Sequence, residues 1–581
     1  MANFFTDNQD IQFLFEHMDP ARLAGIMEDG FKYAEQFDHA PADAADAVDN
    51  YRRILEALGE LAAEQIAPTA EETDLLGNTL NPDGSVSYAP GIAKALKLLA
   101  QADLMGFTLP YRFGGLNCPN LVYTMSNEIV SRADAALMNI YGLQGIAETI
   151  NAFADEAIKA EYLPEMAAGK RTGAMVLTEP DAGSDLQAVK VRGWQDADGH
   201  WYAQGVKRFI TNGCGEVLLV LARTEPEISD GRGLSLLLVE RGPRVKIRRL
   251  EDKLGIHGSP TCEIFFDDAP ARLIGERQRG LITYVMSLMN GARIGIAAQS
   301  LGIAEAAFRV ARQFAHSRRQ FGQAVENFPA LRELISDMQV DIQAARALTY
   351  FAAYCVDVEY GALRKLELGG AADPAESRAL KAESRRYKRL NGMLTPMSKY
   401  CASEMCMRVA NGAVAVMGGS GYMKDYSVQR HLRDSRITTI YEGTTQLQIV
   451  AAVRGVSSGT ANSLVDELLQ REPPEELAPL AEQIRSGSKL LEEAVAFVKA
   501  QGGTEYMDLM GRRLVDMAVY LVVAALFLDH AVVNDGKKTV LRRWLAVKMP
   551  ELRMNHEIIT SGQRLPMTDF EALAGPVPVT E

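Results

Sequence analysis

The sequence predicts an α+β chain built from a helical N-terminal block, a small central β domain, a helical bundle and a further helical block. Apolar side chains recur at three- and four-residue spacing up to about residue 170, as in Tyr51-Arg-Arg-Ile-Leu-Glu-Ala-Leu-Gly-Glu-Leu61. From about residue 171 the pattern changes to short apolar runs separated by turn residues. After Gly280 the helical spacing returns. These changes divide the chain into residues 1–170, 171–277, 278–455 and 456–581.

In the first block, Pro110, Gly114, Gly115 and Pro119 mark a loop between helices. In the second, Val217–Ala222 and Leu234–Val239 read as strands. Asp196-Ala-Asp-Gly-His200 reads as a hairpin turn joining Val189–Trp194 to Trp201–Val206. Cys262–Phe266 is expected as the last strand, closed by Asp267-Asp268-Ala-Pro270. Gly291, Gly295 and Gly302 share one helical segment and predict close helix packing there. Leu368-Gly-Gly-Ala-Ala-Asp-Pro374 reads as a connection between two long helices, and Ser457-Ser-Gly-Thr-Ala461 as a boundary.

Composition excludes several functions. At 581 residues the chain exceeds one core. A net charge of −14 argues against a nucleic-acid surface, which needs clustered Lys and Arg. The six cysteines form no CxxC pair, the eight histidines no HxxxH, and no metal site is expected. The N-terminus lacks the basic start and apolar run of a secretory signal. The longest apolar run, Met517–Leu528, falls short of the roughly 20 residues that span a bilayer and reads as a buried helix. Its flanking Arg512, Arg513, Lys537, Lys538, Arg542 and Arg543 leave open docking on a membrane or partner. A cytoplasmic protein of bacterial type is expected, soluble or peripheral to a membrane, with no stable insertion.

Ile440-Tyr441-Glu442-Gly443-Thr444 carries the sharpest chemical signal. It places a carboxylate among glycines and uncharged neighbours, close to the Gly-rich turn Met417-Gly-Gly-Ser-Gly-Tyr422. Desolvation there would raise its pKa and make it a usable base near neutral pH.

Several further segments extend that signal: Gly106–Leu116, Tyr162–Gly169, Leu177-Thr-Glu-Pro-Asp-Ala-Gly-Ser-Asp185, Phe209-Ile-Thr-Asn-Gly213, Lys253–Thr261, Arg293–Ala297 and Ser317-Arg-Arg-Gln-Phe-Gly322. In this order they resemble the FAD-dependent acyl-CoA dehydrogenase family over roughly residues 50–455. The resemblance implies that a base removes the α proton of an acyl thioester while FAD accepts the β hydrogen. Glu442 matches that base, and its backbone N–H helps bind the thioester oxygen, with Tyr441 and Gly443 as substrate neighbours. A related branch carries its base near Gly291–Arg293, where this chain has Ala292.

By the same resemblance, Thr178 bonds the flavin ring and Ser184 contacts flavin phosphate and thioester tail. Thr211 sits beside the flavin N5. Phe209 stands where many relatives carry Trp against the flavin, although a buried strand aromatic would read the same way. Arg318 and Phe321 match positions reaching the cofactor of a neighbouring subunit, which implies a homo-oligomer, a dimer by preference. Gly418, Gly419, Thr444 and Gln446 match further cofactor contacts, with Ala415 where the family often has Gln. Arg293 matches a residue on the CoA side, with Asn290 in place of the more usual Asp.

The implied activity is α,β-dehydrogenation of an acyl-CoA, with an electron-transfer flavoprotein as acceptor. An acyl-CoA oxidase using O₂ shares the half-reaction, and a DNA-associated flavoprotein shares the fold. The acidity of the chain and the intact Glu442 weigh against the latter. The helical block after 455 resembles that of very-long-chain enzymes and of bacterial enzymes acting on short or unusual acyl groups.

Overall fold

A computed structural model describes residues 1–367 and 373–578. Residues 368–372 of the expected interhelical connection lie outside the described residues. Two compact units are present: Met1–Asn391 with Ser398–Thr445, and Gly392–Met397 with Gln446–Glu581.

The first unit opens with helices whose spacing is amphipathic. Ala44–Leu61 buries Ala47, Tyr51, Leu55 and Leu58 and is capped by Asp43, whose side chain accepts from the Asp46 N–H. Asn120–Ala133 is buried on nearly all sides, as a central helix must be. The long helix Met286–Ser317 approaches it so closely that a Cβ at Gly302 would lie 2.5 Å from the Glu128 carbonyl oxygen. Of the three glycines expected to permit close packing, Gly302 alone does so. A Cβ at Gly291 would meet nothing within 4 Å, and one at Gly295 only Met138 Cε at 3.7 Å. Spacing along a helix does not reveal which face a partner occupies.

A buried ionic cluster ties these helices together. Arg346, on Pro329–Glu367, is fully buried. It pairs with Asp10 at 2.6 Å, Glu128 at 2.7 Å and Glu305 at 2.8 Å, each on a different helix.

Between these helices in sequence lies a seven-stranded sheet. Val217–Arg223 pairs with Leu234–Glu240, which pairs with the end of Thr261–Ile274. That long strand pairs with Trp201–Thr211, which pairs with Arg192–Gln195, and Arg192 meets Arg223 to close a ring. The expected hairpin is present at Asp196–His200, with the Asp196 N–H donating to the His200 carbonyl at 3.0 Å. The last strand does not stop at Asp267–Pro270 but continues to Ile274. Asp268 at φ +47° and a register shift between Ala203 and Gly205 absorb the irregularity that those residues signal. Two strands escape the sequence reading, Gly173–Val176 and Val245–Leu250. The second does carry an alternation, with Val245 and Ile247 buried and Lys246 and Arg248 exposed.

The second unit holds Thr460–Leu468, Ala478–Ala500, Glu505–Val533 and Asp535–Thr560. The apolar run Met517–Leu528 is buried at every position except Tyr520. Glu505–Val533 is long and apolar enough to cross a membrane, and its apolar surface is packed against protein instead.

Gly302→Ala should lower stability by about 1–3 kcal/mol, because the added methyl collides with backbone. Gly291→Ala should be neutral or gain up to about 1 kcal/mol. Thermal denaturation of the two variants side by side checks both.

Candidate active site

Helix Val428–Ser435 runs into the tight turn Arg436–Thr439, after which the chain reverses. Glu442 sits there at φ +53° and Gly443 at φ +93°. The left-handed region is natural for glycine but sterically disfavoured for a residue with a Cβ, so Glu442 must be held from outside. The Tyr441 hydroxyl donates to Asn139 Oδ1 at 3.0 Å and also meets Gln299 Oε1. Gln299 is itself fixed by donating to the Ala135 carbonyl at 2.9 Å and to Asn139 Oδ1 at 2.7 Å. On the other side, Lys399 Nζ donates to the Gly443 carbonyl at 2.7 Å. Thr445 Oγ1 donates to Glu404 at 2.7 Å.

Burial pushes the Glu442 carboxyl up to about 7, while Lys399 and Arg293 pull it back. Lys399 comes from helix Pro374–Met417 and is fully buried. Burial brings its amine down to about 7, opposed by Glu442 and Glu404 and reinforced by Arg293. Arg293, from helix Met286–Ser317, is buried and lowered by desolvation, against the pull of Glu442. Its Nη1 donates to Asn290 Oδ1 at 3.1 Å. Among the described residues its buried Nε has no hydrogen-bond partner. Glu442, Tyr441, Gly443, Arg293 and Asn290 are thus gathered around one base. Sequence reasoning missed Lys399, whose signal is a lone cation in Thr395-Pro-Met-Ser-Lys-Tyr-Cys-Ala402.

The remaining predicted residues lie on loops and strand ends. Thr178 follows strand Gly173–Val176, and its carbonyl accepts from the Arg208 N–H at 3.0 Å. Ser184 is exposed in the turn beyond it. Thr211 ends strand Trp201–Thr211. Phe209 lies at the register shift between Lys207 and Ile210, at φ +62° and 52% exposed. The buried-strand reading of Phe209 is therefore wrong, because the bulge turns its ring outward. The Arg208 guanidinium stacks over that ring, 4.6 Å from its centroid. Arg318 directly precedes the small hairpin Arg319–Ala324 and Phe321 sits in its turn, both exposed, Phe321 to 93%. Gly418, at φ +59°, and Gly419 follow helix Pro374–Met417, and a Cβ on either would meet open space. Thr444 precedes helix Thr445–Ser457, and Gln446 is exposed in the first turn of that helix, where the second unit begins.

One anchor of this region was not legible in sequence. The buried Glu179 carboxylate accepts from the Lys190 N–H at 2.7 Å and the Val191 N–H at 2.9 Å, and pairs with Lys207 at 2.9 Å. Lys207, fully buried and brought down to about 8 by desolvation, also donates to the Leu177 carbonyl at 2.7 Å. The Thr178 loop is thereby fastened to the strand that carries Phe209 and Thr211.

A carboxyl pushed up to about 7, an outward aromatic ring and hydroxyl-bearing loops suit proton transfer beside a flat, phosphate-bearing cofactor. The accessible hydroxyl of Ser184, the guanidinium of Arg318, the exposed ring of Phe209 and the open approach at Gly418–Gly419 suit the ring and pyrophosphate of FAD. Four family models match in order: Acyl-CoA dehydrogenase, N-terminal domain (residues 49–170), middle domain (174–269), C-terminal domain (279–456), and Acyl-CoA dehydrogenase C terminal (457–539). The chain is 36% identical over 371 residues to the acryloyl-CoA reductase (NADH) of Anaerotignum propionicum, covering 63% of this chain and 86% of that protein. The butyryl-CoA dehydrogenase structure from Megasphaera elsdenii matches with a TM-score of 0.59 at 30% identity, over 70% of this chain and 97% of the other. An acyl-CoA dehydrogenase complexed with FAD from Bacillus anthracis shares the fold over 92% of each chain, with a TM-score of 0.75 at 22% identity. The chain belongs to the acyl-CoA dehydrogenase family, and its cofactor is FAD.

Lys207→Met should strand the buried Glu179 charge at a cost of about 3–5 kcal/mol and loosen the Thr178 loop. The expected outcome is a lower ratio of bound FAD to protein after dialysis, read from flavin absorbance.

Proposed function

We propose that this chain catalyses α,β-dehydrogenation of an acyl-CoA thioester with Glu442 as the base, and that it passes electrons to an electron-transfer flavoprotein. The observation that carries this reading is a glutamate fixed in a left-handed turn between held neighbours, where burial pushes its carboxyl up and Lys399 and Arg293 pull it back. A base with its pKa close to the working pH combines a usable ionised fraction with proton affinity. In its ionised form a Glu442 carboxylate oxygen takes the α proton. Bound FAD supplies the acceptor for the β hydrogen, which leaves as hydride. The Glu442 backbone N–H donates to the thioester oxygen as negative charge develops there. Arg293 and Asn290, drawn together at 3.1 Å, orient the substrate on its CoA side. The same geometry serves the reverse reduction, the direction given by the name of the reductase relative.

The exposed Arg318 and Phe321 support a homo-oligomer, preferably a dimer, in which they reach the cofactor site of a second copy. On this reading Arg318→Ala lowers FAD occupancy while the protein still elutes as a dimer. Size-exclusion chromatography with light scattering and a flavin spectrum checks both halves.

Anaerobic flavin bleaching by a panel of acyl-CoAs of graded length and branching tests the activity. Reoxidation by O₂ compared with an electron-transfer flavoprotein tests the acceptor. Glu442→Gln should keep its FAD and lose about 10²–10⁴-fold in bleaching rate. In the unsubstituted protein the rate should rise as pH increases through about 7, because the base acts only when ionised. A flat profile together with a fully active Gln variant would falsify the assignment.

A further inference from the structure

We propose that Lys399 is a positioning residue for this reaction, its ammonium pinning the carbonyl next to Glu442 and its charge favouring the ionised base. The inference rests on the reading of Glu442 as the base and adds a residue that this reading does not require.

The geometry separates Lys399 from an ordinary core lysine. Its Nζ is fully enclosed and donates at 2.7 Å to the Gly443 carbonyl, on the residue directly after the base. Tyr441, directly before the base, is held through Asn139 and Gln299. Glu442 is thus bracketed, with a strained backbone between two fixed neighbours. Arg293 acts on the base from its own helix, Met286–Ser317, where its Nη1 donates to Asn290 Oδ1 one turn away at 3.1 Å, whereas the contact to the Gly443 carbonyl is made by Lys399.

Among the described residues, charged and titratable groups face the base from three elements. Arg293 faces it from Met286–Ser317, Lys399 with Glu404 from Pro374–Met417, and Tyr441 from the loop itself. Burial raises the Glu442 carboxyl, and Lys399 is the larger of the two opposing cations. The ammonium is present up to the neutral range, where its own amine is brought down to about 7; removing it raises the carboxyl further, so that a higher pH is needed to ionise the base. A lysine present only to fill the core would change stability without moving that limb.

The test uses the FAD-loaded enzyme and an acyl-CoA that bleaches its flavin, with bleaching rate followed from pH 6 to 9. Lys399→Met should displace the acid limb upwards by about one unit, with roughly a tenfold loss at pH 7 that recovers towards pH 9. Lys399→Arg should return most of the limb, because it restores the charge. If the Met variant fails to hold FAD, Lys399→Gln replaces it in the same comparison. An unmoved limb in the charge-free variant overturns the proposal, as does an equal loss at every pH that Arg does not relieve. Glu442→Gln separates the two claims. If it still reduces flavin, the base assignment fails. If it is inactive while the lysine variants keep the normal limb, only the role of Lys399 fails.

Discussion

At Glu442 the backbone is held at φ +53°, a conformation that costs a residue with a Cβ on the order of 1–3 kcal/mol. Such strain persists only where surrounding contacts determine it, and here those contacts come from several helices at once. Asn139 lies on Ala135–Tyr141, Gln299 on Met286–Ser317 and Lys399 on Pro374–Met417. Four of the other non-glycine residues in the left-handed region fall within the motif segments: Phe209 at +62°, Asn212 at +52°, Ile256 at +49° and Phe321 at +49°. Ile256 is the most demanding, since a β-branched side chain rarely tolerates this region. Its N–H donates to Asp434 at 2.6 Å and its carbonyl accepts from Lys253 Nζ at 3.0 Å.

The central ring of strands gives the cofactor side a rigid edge. Trp201–Thr211 is anchored along its length by Thr261–Ile274 and released at its end by a bulge. That bulge turns Phe209 outward while Thr211 stays in register with Thr261. The Lys207–Glu179 pair, just before the bulge, couples the neighbouring loop to the same strand. Because both groups are buried, neither charge is stable without the other. A flat cofactor needs such fixed edges, since each hydrogen-bonding group must meet it without reorganising.

Much of this was legible in the sequence, and the part that was not has a physical reason. Helix periodicity, the hairpin at Asp196–His200 and the buried run Met517–Leu528 follow from local spacing and turn chemistry. The continuation of Thr261–Ile274 through Pro270 did not, because a bulge lets a strand pass residues that would otherwise end it. Glu442 announced itself by its neighbours, whereas Lys399 lies more than forty residues earlier in the chain. Its role exists only after two helices and a loop meet. Gly291 and Gly302 look alike in sequence and differ wholly in surroundings, for the same reason.

The strength of the base is a balance that neither local sequence nor burial could set alone. With desolvation alone the carboxyl would be protonated at neutral pH and could accept nothing. With exposed cations beside it and no burial, it would ionise readily but hold a proton too weakly to draw one from a carbon acid. The two cations arrive on separate helices, so the balance depends on how those helices are seated. The helix carrying Arg293 also carries Glu305, which meets the buried Arg346 at 2.8 Å alongside Glu128 and Asp10. A buried arginine satisfied by three carboxylates allows little sliding, because any shift would leave charge unpaired in the interior. The ionic cluster in the bundle and the proton affinity of Glu442 are therefore linked through the rigidity of one helix, Met286–Ser317.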